Sequence, residues 1–234
     1  MTAENPSDKL IVALDFPTVE EARAIVQTID DQCQFYKVGL ELLFAGGQDL
    51  AAELKRHGKR VFVDAKLLDI GATVEKATAN IAKMGVDFLT LHVSDQKTLE
   101  AAVRGRGTSG LKLLGVSVMT NLDEQDLQQQ GITEFSPQEL VLKRAQLAKQ
   151  AGLDGLVSSG HEAHDIRHLV GPDFLIVTPG IRPSGADTQD QTRVMTPGKA
   201  IANGANHIVV GRPICQADDP HLAAKAIQEE ISNA

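Results

Sequence analysis

Eight short apolar segments, each followed by a stretch with helical periodicity, constrain the fold of this chain more than any other feature. The apolar segments span residues 9–14, 35–40, 59–63, 87–91, 111–118, 155–157, 174–177 and 207–210. Short apolar strands that alternate with amphipathic helices are typical of βαβ units and a parallel sheet. The 234 residues show no break in composition, and a barrel of this kind takes about 250 residues. We therefore predict an α/β fold, a single (β/α)8 TIM barrel that spans residues 1–234.

An open, doubly wound sheet is the alternative that the same alternation allows. Such sheets carry a glycine-rich phosphate-binding turn after the first strand, where this chain has Asp15-Phe16-Pro17. The absence of that turn and the count of eight strands favour the barrel.

Charge and composition exclude several classes of function. The formal net charge of −8 argues against nucleic acid or an anionic membrane surface as a partner. No apolar run approaches the ~20 residues of a membrane span, and the polar, acidic segment from Met1 to Asp8 is unlike a secretory signal. Cys33 and Cys215 lie far apart and match no metal-binding spacing, which indicates reduced thiols. We expect a cytoplasmic protein.

Polar residues collect where the predicted strands end. In a (β/α)8 barrel the active site lies at the C-terminal ends of the strands. The residues at these ends are Asp15, Lys37, Asp64, Lys66, His92, Thr120, Arg182, Gly211 and Arg212.

Residues 64–70, Asp-Ala-Lys-Leu-Leu-Asp-Ile, follow the apolar run 59–63 and carry three charged residues. Alternate side chains of a strand share a face, so Asp64 and Lys66 point in the same direction. A buried carboxylate and ammonium are costly unless they are paired or near water. We predict that the strand ends here, at an opening where these charges meet a ligand. An ion pair that only fixes the strand end is the alternative.

Two loops have features of phosphate binding and closure. Gly211-Arg212 follows the eighth strand, in the region where these barrels often bind phosphate, although a surface arginine would look the same. The small and polar residues 184–191 suit a mobile lid or an ordinary exposed loop.

A histidine-rich stretch follows the sixth strand. His161, His164 and His168 have the spacing of one helical face, but they do not match the His-Glu-x-x-His spacing of metalloproteases. We interpret the stretch as a solvated outer helix.

The pattern Asp64-x-Lys66-x-x-Asp69-Ile70 resembles the signature of the orotidine 5'-monophosphate decarboxylase family, in its bacterial branch. The uncharged residues Ala65, Leu67-Leu68 and Gly71-Ala72 differ from those usual in the family. The charged positions of the signature are all present. The resemblance spans the chain through four further motifs: Leu14-Asp15, Tyr36-Lys37-Val38-Gly39, Thr178-Pro179-Gly180-Ile181-Arg182-Pro183 and Val210-Gly211-Arg212-Pro213.

This resemblance implies a decarboxylase of pyrimidine biosynthesis that needs no metal or other cofactor and converts orotidine 5'-monophosphate to uridine 5'-monophosphate and CO2. Lys66 would donate the proton to C6 of the pyrimidine. The catalytic array would be Lys37, Asp64, Lys66 and Asp69. The substrate-binding residues would be Asp15, Lys37, Asp64, Ile70, Thr73, Thr120, Arg182, Gln191, Gly211 and Arg212. The family also implies a homodimer in which Asp69, Ile70 and Thr73 act across the interface.

Two other functions fit parts of the same pattern. Magnesium-dependent sugar-phosphate relatives share the Asp-x-Lys-x-x-Asp stretch, but they place a carboxylate for the metal where this chain has Lys37. A catalytically silent barrel that binds nucleotide phosphates is the second alternative, and the intact charged set argues against it.

Overall fold

A closed barrel of eight parallel strands forms the centre of the computed structural model, which describes residues 6–183 and 195–234. Neighbouring strands pair in sequence order, and β1 closes the barrel by pairing with β8. The strands are β1 Leu10–Ala13, β2 Phe35–Gly39, β3 Arg60–Leu67, β4 Phe88–His92, β5 Lys112–Val116, β6 Gly155–Val157, β7 Leu175–Thr178 and β8 His207–Val210. The predicted (β/α)8 barrel is confirmed, while its extent as one domain over residues 1–234 stays a prediction.

Helices connect the strands and surround the barrel. They are α1 Pro6–Lys9, α2 Val19–Ile29, α3 Leu40–Leu42, α4 Gln48–Arg56, α5 Gly71–Lys83, α6 Gln96–Arg106, α7 Glu124–Gln129, α8 Pro137–Gln150, α9 Ala163–Val170, α10 Pro197–Ala202, α11 Arg212–Cys215 and α12 Pro220–Ser232. A 3-10 turn spans Asp30–Gln32, and the segment Leu43–Gly47 contains a kink at Ala45 and Gly46, where the backbone leaves helical geometry. Four short helices, α1, α3, α7 and α11, went unpredicted because three to six residues show no full amphipathic period.

Side-chain caps fix where several helices begin. The Thr18 hydroxyl accepts a hydrogen bond from the Glu21 amide at 3.2 Å, as its position before α2 predicts. Ser136 and Glu139 form a reciprocal capping box before α8. These bonds satisfy amide groups that have no partner within the helix.

The core has two layers because alternate strand residues face the barrel axis and the helices. The larger layer packs between strands and helices, and it includes Tyr36 and Val63. The smaller layer fills the barrel interior and consists of Ile11, Ala13, Phe35, Phe62, Phe88, Leu114, Val177 and Val209. This interior plug leaves the C-terminal ends of the strands as the open mouth of the barrel.

Within residues 6–183 and 195–234, no helix is both long enough and apolar enough to span a membrane. Cys33 and Cys215 form no disulfide, as the sequence analysis expects.

Close packing between β6 and β7 requires a glycine at position 155. A Cβ atom added to Gly155 would lie 2.5 Å from the Leu175 carbonyl oxygen and 2.6 Å from the Leu175 Cβ. We expect Gly155→Ala to lower the free energy of unfolding by about 1–3 kcal/mol, because backbone and core atoms must move apart. Urea denaturation measures this. Gly110→Ala is the matched control, since a Cβ there meets nothing within 4 Å, and it should change stability by less than about 0.5 kcal/mol. Equal effects of the two substitutions would contradict the prediction.

Candidate active site

Two adjoining cavities open at the mouth of the barrel. The larger has a volume of about 510 Å³ and the smaller about 200 Å³. They share Lys37, Asp64, Pro179 and Val209 in their walls. The larger cavity is also lined by Asp15, Gly180, Arg182, Gly211 and Arg212, and the smaller by Lys66 and Thr120. Seven of the predicted binding residues therefore surround one connected space, although they come from six strand ends.

Charged side chains alternate in sign across this mouth. The Lys37 ammonium lies 2.8 Å from Asp15 Oδ1 and 3.6 Å from Asp64 Oδ2. The Lys66 ammonium lies 2.8 Å from the same Asp64 oxygen. Asp15, Lys37, Asp64 and Lys66 thus form a continuous series of opposite charges, which we call the charge series.

Asp64 is the most buried carboxylate of the charge series, with 8% of its surface exposed. Burial is the largest single influence on its pKa and opposes ionisation. The positive charges of Lys37 and Lys66, with hydrogen bonds from Lys66 and Thr90, outweigh that effect and hold the pKa below its ordinary value. Asp64 is therefore a carboxylate throughout the neutral pH range.

The backbone of β3 is irregular at Lys66, the candidate proton donor. Lys66 has a φ of +47°, in the left-handed region that non-glycine residues rarely adopt. The pairing of β3 with β4 also shifts register between Val63 and Leu67. The strand is expected to end within residues 64–70, and β3 ends there, at Leu67, after this bulge. Strain of this kind is typical of functional positions, where surrounding contacts hold it in place.

Thr90 supplies those contacts from the middle of β4. Its hydroxyl donates to Asp64 Oδ1 at 2.8 Å and accepts from the Lys66 backbone amide at 3.0 Å. The residue is completely buried. Thr90 is not among the predicted site residues, although a lone hydroxyl between leucines in an apolar strand is a signal that can identify such a position.

His92 ends β4 on the same side of the mouth. Its half-buried imidazole has a lowered pKa, first because of burial and then because of the positive charges of Lys66 and Arg144. The lowered pKa keeps His92 neutral at neutral pH, so it adds no third cation near Lys66.

Arginine side chains gather on the side of the larger cavity formed by β7 and β8. Arg182 follows β7 and is 7% exposed, and its guanidinium donates to the Ile181 carbonyl at 2.9 Å. Gly211 and Arg212 follow β8 and line the same cavity. Two guanidinium groups beside a glycine backbone suit a phosphate group.

Three predicted site residues lie outside the mouth of a single chain. Asp69, Ile70 and Thr73 are exposed and line neither cavity. The Asp69 carboxylate accepts a hydrogen bond from the Ile70 amide at 2.6 Å. Predicted Gln191 and the predicted lid, residues 184–191, lie outside the described residues. In the part of the chain that the structure describes, no three His, Cys, Asp or Glu side chains are grouped to hold a metal ion.

Comparison with known proteins identifies the family. The model of the orotidine 5'-phosphate decarboxylase / HUMPS family matches residues 8–227. The chain belongs to this family. Its membership confirms the predicted resemblance and the predicted enzyme class, a carboxy-lyase.

Relatives of the chain match it over nearly its whole length. The orotidine 5'-phosphate decarboxylase of Rhodopseudomonas palustris (strain BisB5) is 51% identical, with 97% of this chain and 96% of the relative covered. That of Methylorubrum extorquens (strain PA1) is 50% identical, with 98% of each chain covered. The crystal structure of the Lactobacillus acidophilus orotidine 5'-phosphate decarboxylase superposes with a TM-score of 0.86 at 35% identity, covering 97% of this chain and all of that one.

Thr90 holds two members of the charge series but carries no charge itself, so its substitution changes their positions without removing a charge. We expect Thr90→Val to lower kcat roughly 10- to 100-fold, because Asp64 and the Lys66 backbone lose a shared partner and shift. The free energy of unfolding should fall by about 1–3 kcal/mol, since buried polar groups are left unpaired. Steady-state kinetics and urea denaturation measure the two effects. Thr90→Ser keeps the hydroxyl and is the control. If the valine variant matched the serine variant in kcat, Thr90 would have no positioning role.

Proposed function

We propose that this protein decarboxylates orotidine 5'-monophosphate to uridine 5'-monophosphate, without a metal or other cofactor, and that Lys66 protonates C6 of the product. The observation that carries the proposal is the charge series in the mouth of the barrel, in a chain of this family. The relatives named above carry the same activity in their names. We infer a role in pyrimidine biosynthesis and a cytoplasmic location.

The chemistry needs a fixed positive charge beside the reacting carbon. Loss of CO2 leaves an electron pair on C6, where no neighbouring group can delocalise it. An ammonium that is already oriented stabilises this charge and can then transfer its proton to carbon. Lys66 suits this role because its ammonium lines the smaller cavity and is held at 2.8 Å by Asp64.

Asp64 and Lys37 keep that ammonium in position. The ionised Asp64 favours the charged form of Lys66, and Lys37 balances the remaining negative charge from the other side. The substrate carboxylate would sit near Asp64, and repulsion between the two carboxylates favours its departure as neutral CO2.

The remaining substrate groups are assigned by position around the mouth. Arg182, Gly211 and Arg212 would bind the phosphate, and Asp15 would hold a ribose hydroxyl. Thr120 lines the smaller cavity beside Lys66 and would face the pyrimidine. Gln191 keeps its predicted role in binding the substrate. Binding energy from a phosphate remote from the reacting bond can be used to assemble the site.

Lys37 distinguishes this proposal from a magnesium-dependent sugar-phosphate reaction. Its ammonium lies between two carboxylates, 2.8 Å from Asp15 and 3.6 Å from Asp64. A cation there repels a divalent metal ion and supplies the charge that the metal would otherwise provide.

We also propose a homodimer that places Asp69, Ile70 and Thr73 in the neighbouring site. The support is an apolar groove of about 650 Å³, which we call the β3–α5 groove. Phe44 lies at this groove with 90% of its surface exposed, and Leu68 and Ile70, in the segment between β3 and α5, are 63% and 73% exposed. Exposed apolar surface of this extent is typical of protein interfaces. The groove is lined by Leu40, Leu43, Phe44, Gln48, Val63, Ala65, Leu67, Ala77, Asn80, Ile81 and Met84.

Activity and its metal dependence test the reaction directly. Purified protein should convert orotidine 5'-monophosphate, followed by the change in ultraviolet absorbance, at the same rate before and after exhaustive treatment with EDTA. Loss of activity on chelation and recovery with Mg²⁺ would support the sugar-phosphate alternative instead. No turnover with intact nucleotide binding would support the silent barrel.

Two substitutions should affect catalysis and phosphate binding separately. Lys66→Ala should lower kcat by about 10²–10⁴-fold and leave the affinity for uridine 5'-monophosphate nearly unchanged. Arg212→Ala should weaken that affinity, because charge-assisted hydrogen bonds contribute roughly 1.5–3 kcal/mol each. Calorimetry and steady-state kinetics give the two values. Arg104→Ala removes an exposed arginine on α6 and is the matched control. A Lys66→Ala variant with near-normal turnover would refute the assignment.

The shared site predicts complementation between two inactive variants. Lys66→Ala and Asp69→Ala homodimers should each be severely impaired. After subunit exchange, a heterodimer has one site with both lesions and one site with neither, so activity should rise well above either parent. If each barrel used its own Asp69, every site would carry one lesion. No recovery, with exchange verified by native mass spectrometry, would therefore exclude the shared site.

A further inference from the structure

Two histidines on the outer surface of the barrel face each other across one turn of α9. His164 Nε2 and His168 Nε2 lie 3.1 Å apart, while the ring centres are 4.4 Å apart. The two rings therefore approach each other through their Nε2 atoms. His161, which the sequence analysis placed on the same helical face, precedes α9 because the helix begins at Ala163. We call His164 and His168 the histidine pair.

Neighbouring side chains orient one member of the histidine pair. His164 Nδ1 lies 3.3 Å from Asp165 Oδ1, and a carboxylate can only accept, so Nδ1 carries the proton. The lone pair of His164 is then on Nε2, toward His168. Gln138, at the start of α8, donates to the other Asp165 oxygen at 2.9 Å and holds the carboxylate in place. A carboxylate behind a histidine is the usual arrangement around metal-binding imidazoles.

We propose that the histidine pair is a bidentate binding site for a divalent first-row transition metal ion such as Ni²⁺ or Zn²⁺. Metal–imidazole bonds of about 2.0–2.1 Å to two nitrogens 3.1 Å apart give an angle of about 95–100° at the metal. This angle lies between the octahedral and tetrahedral values, so the two rings can share one metal ion by turning about their side-chain bonds while the backbone of α9 stays in place. His168 would move its proton from Nε2 to Nδ1, which leaves the total number of protons unchanged.

The exposure of His164 and His168 determines the remaining ligands of the metal ion. Both histidines are exposed, so water would complete the coordination. Imidazole nitrogen favours Ni²⁺, Cu²⁺ and Zn²⁺ over Mg²⁺, which prefers oxygen ligands. The histidine pair lines neither cavity of the mouth. Metal binding here is therefore independent of the decarboxylation proposed above.

Calorimetric titration of the full chain without an affinity tag tests the proposal. We expect one Ni²⁺ or Zn²⁺ ion per chain and no binding of Mg²⁺ at the same concentrations. His164→Ala and His168→Ala should each weaken binding at least tenfold. Asp165→Asn should weaken it about tenfold, as loss of a supporting carboxylate does. These exposed substitutions should leave the circular dichroism spectrum and the decarboxylase activity unchanged.

His161→Ala is the matched control, because this histidine lies in the same segment but outside the pair. Its affinity for Ni²⁺ should stay within twofold of the natural chain. In NMR spectra, Ni²⁺ should broaden the imidazole resonances of His164 and His168 more than those of the other histidines. Absence of stoichiometric binding, or equal affinity in the His164→Ala, His168→Ala and natural chains, would overturn the proposal.

Discussion

The Asp64 carboxylate, held between two ammonium groups, is the interaction on which the rest of the site depends. Lys37 lies 3.6 Å from it and Lys66 lies 2.8 Å from it. Burial alone would favour the neutral acid, and the two cations reverse that preference. Removal of Asp64 would leave the Lys37 and Lys66 ammonium groups without the carboxylate between them, and breaking a buried ion pair in this way is strongly destabilising. The charge series is therefore a single unit, and its geometry determines where a substrate can lie.

Local backbone departures make this geometry possible. Lys66 takes a left-handed conformation, and Thr90 from the next strand bonds both its amide and the Asp64 carboxylate. Gly39 at the end of β2 has a related role. A Cβ there would lie 2.8 Å from both Asp15 Oδ1 and Lys37 Nζ, so a larger residue would displace the ends of these two charged side chains. The active site thus requires a strained residue, a buried hydroxyl and a glycine in addition to the charged groups.

Strand β3 connects the mouth to the proposed interface. Asp64 and Lys66 line the mouth, whereas Val63, Ala65 and Leu67 line the β3–α5 groove on the opposite face. Alternation along one strand therefore places the charges of the mouth and the apolar groove back to back. A dimer that buries this groove would restrain the irregular part of β3. The proposed sharing of Asp69 and the left-handed conformation of Lys66 would then have one structural origin.

The sequence by itself determined the eight strands, the closed barrel and the ends at which charged residues gather, because apolar alternation is a local property of the chain. It also placed Asp64 and Lys66 on one face, since they are two positions apart along a strand. Only the tertiary structure decided that Lys37 bonds Asp15 and that Thr90 supports Lys66. These contacts depend on the register between strands and on the bulge in β3. Register and bulges arise from packing across the whole barrel, which no short stretch of sequence encodes.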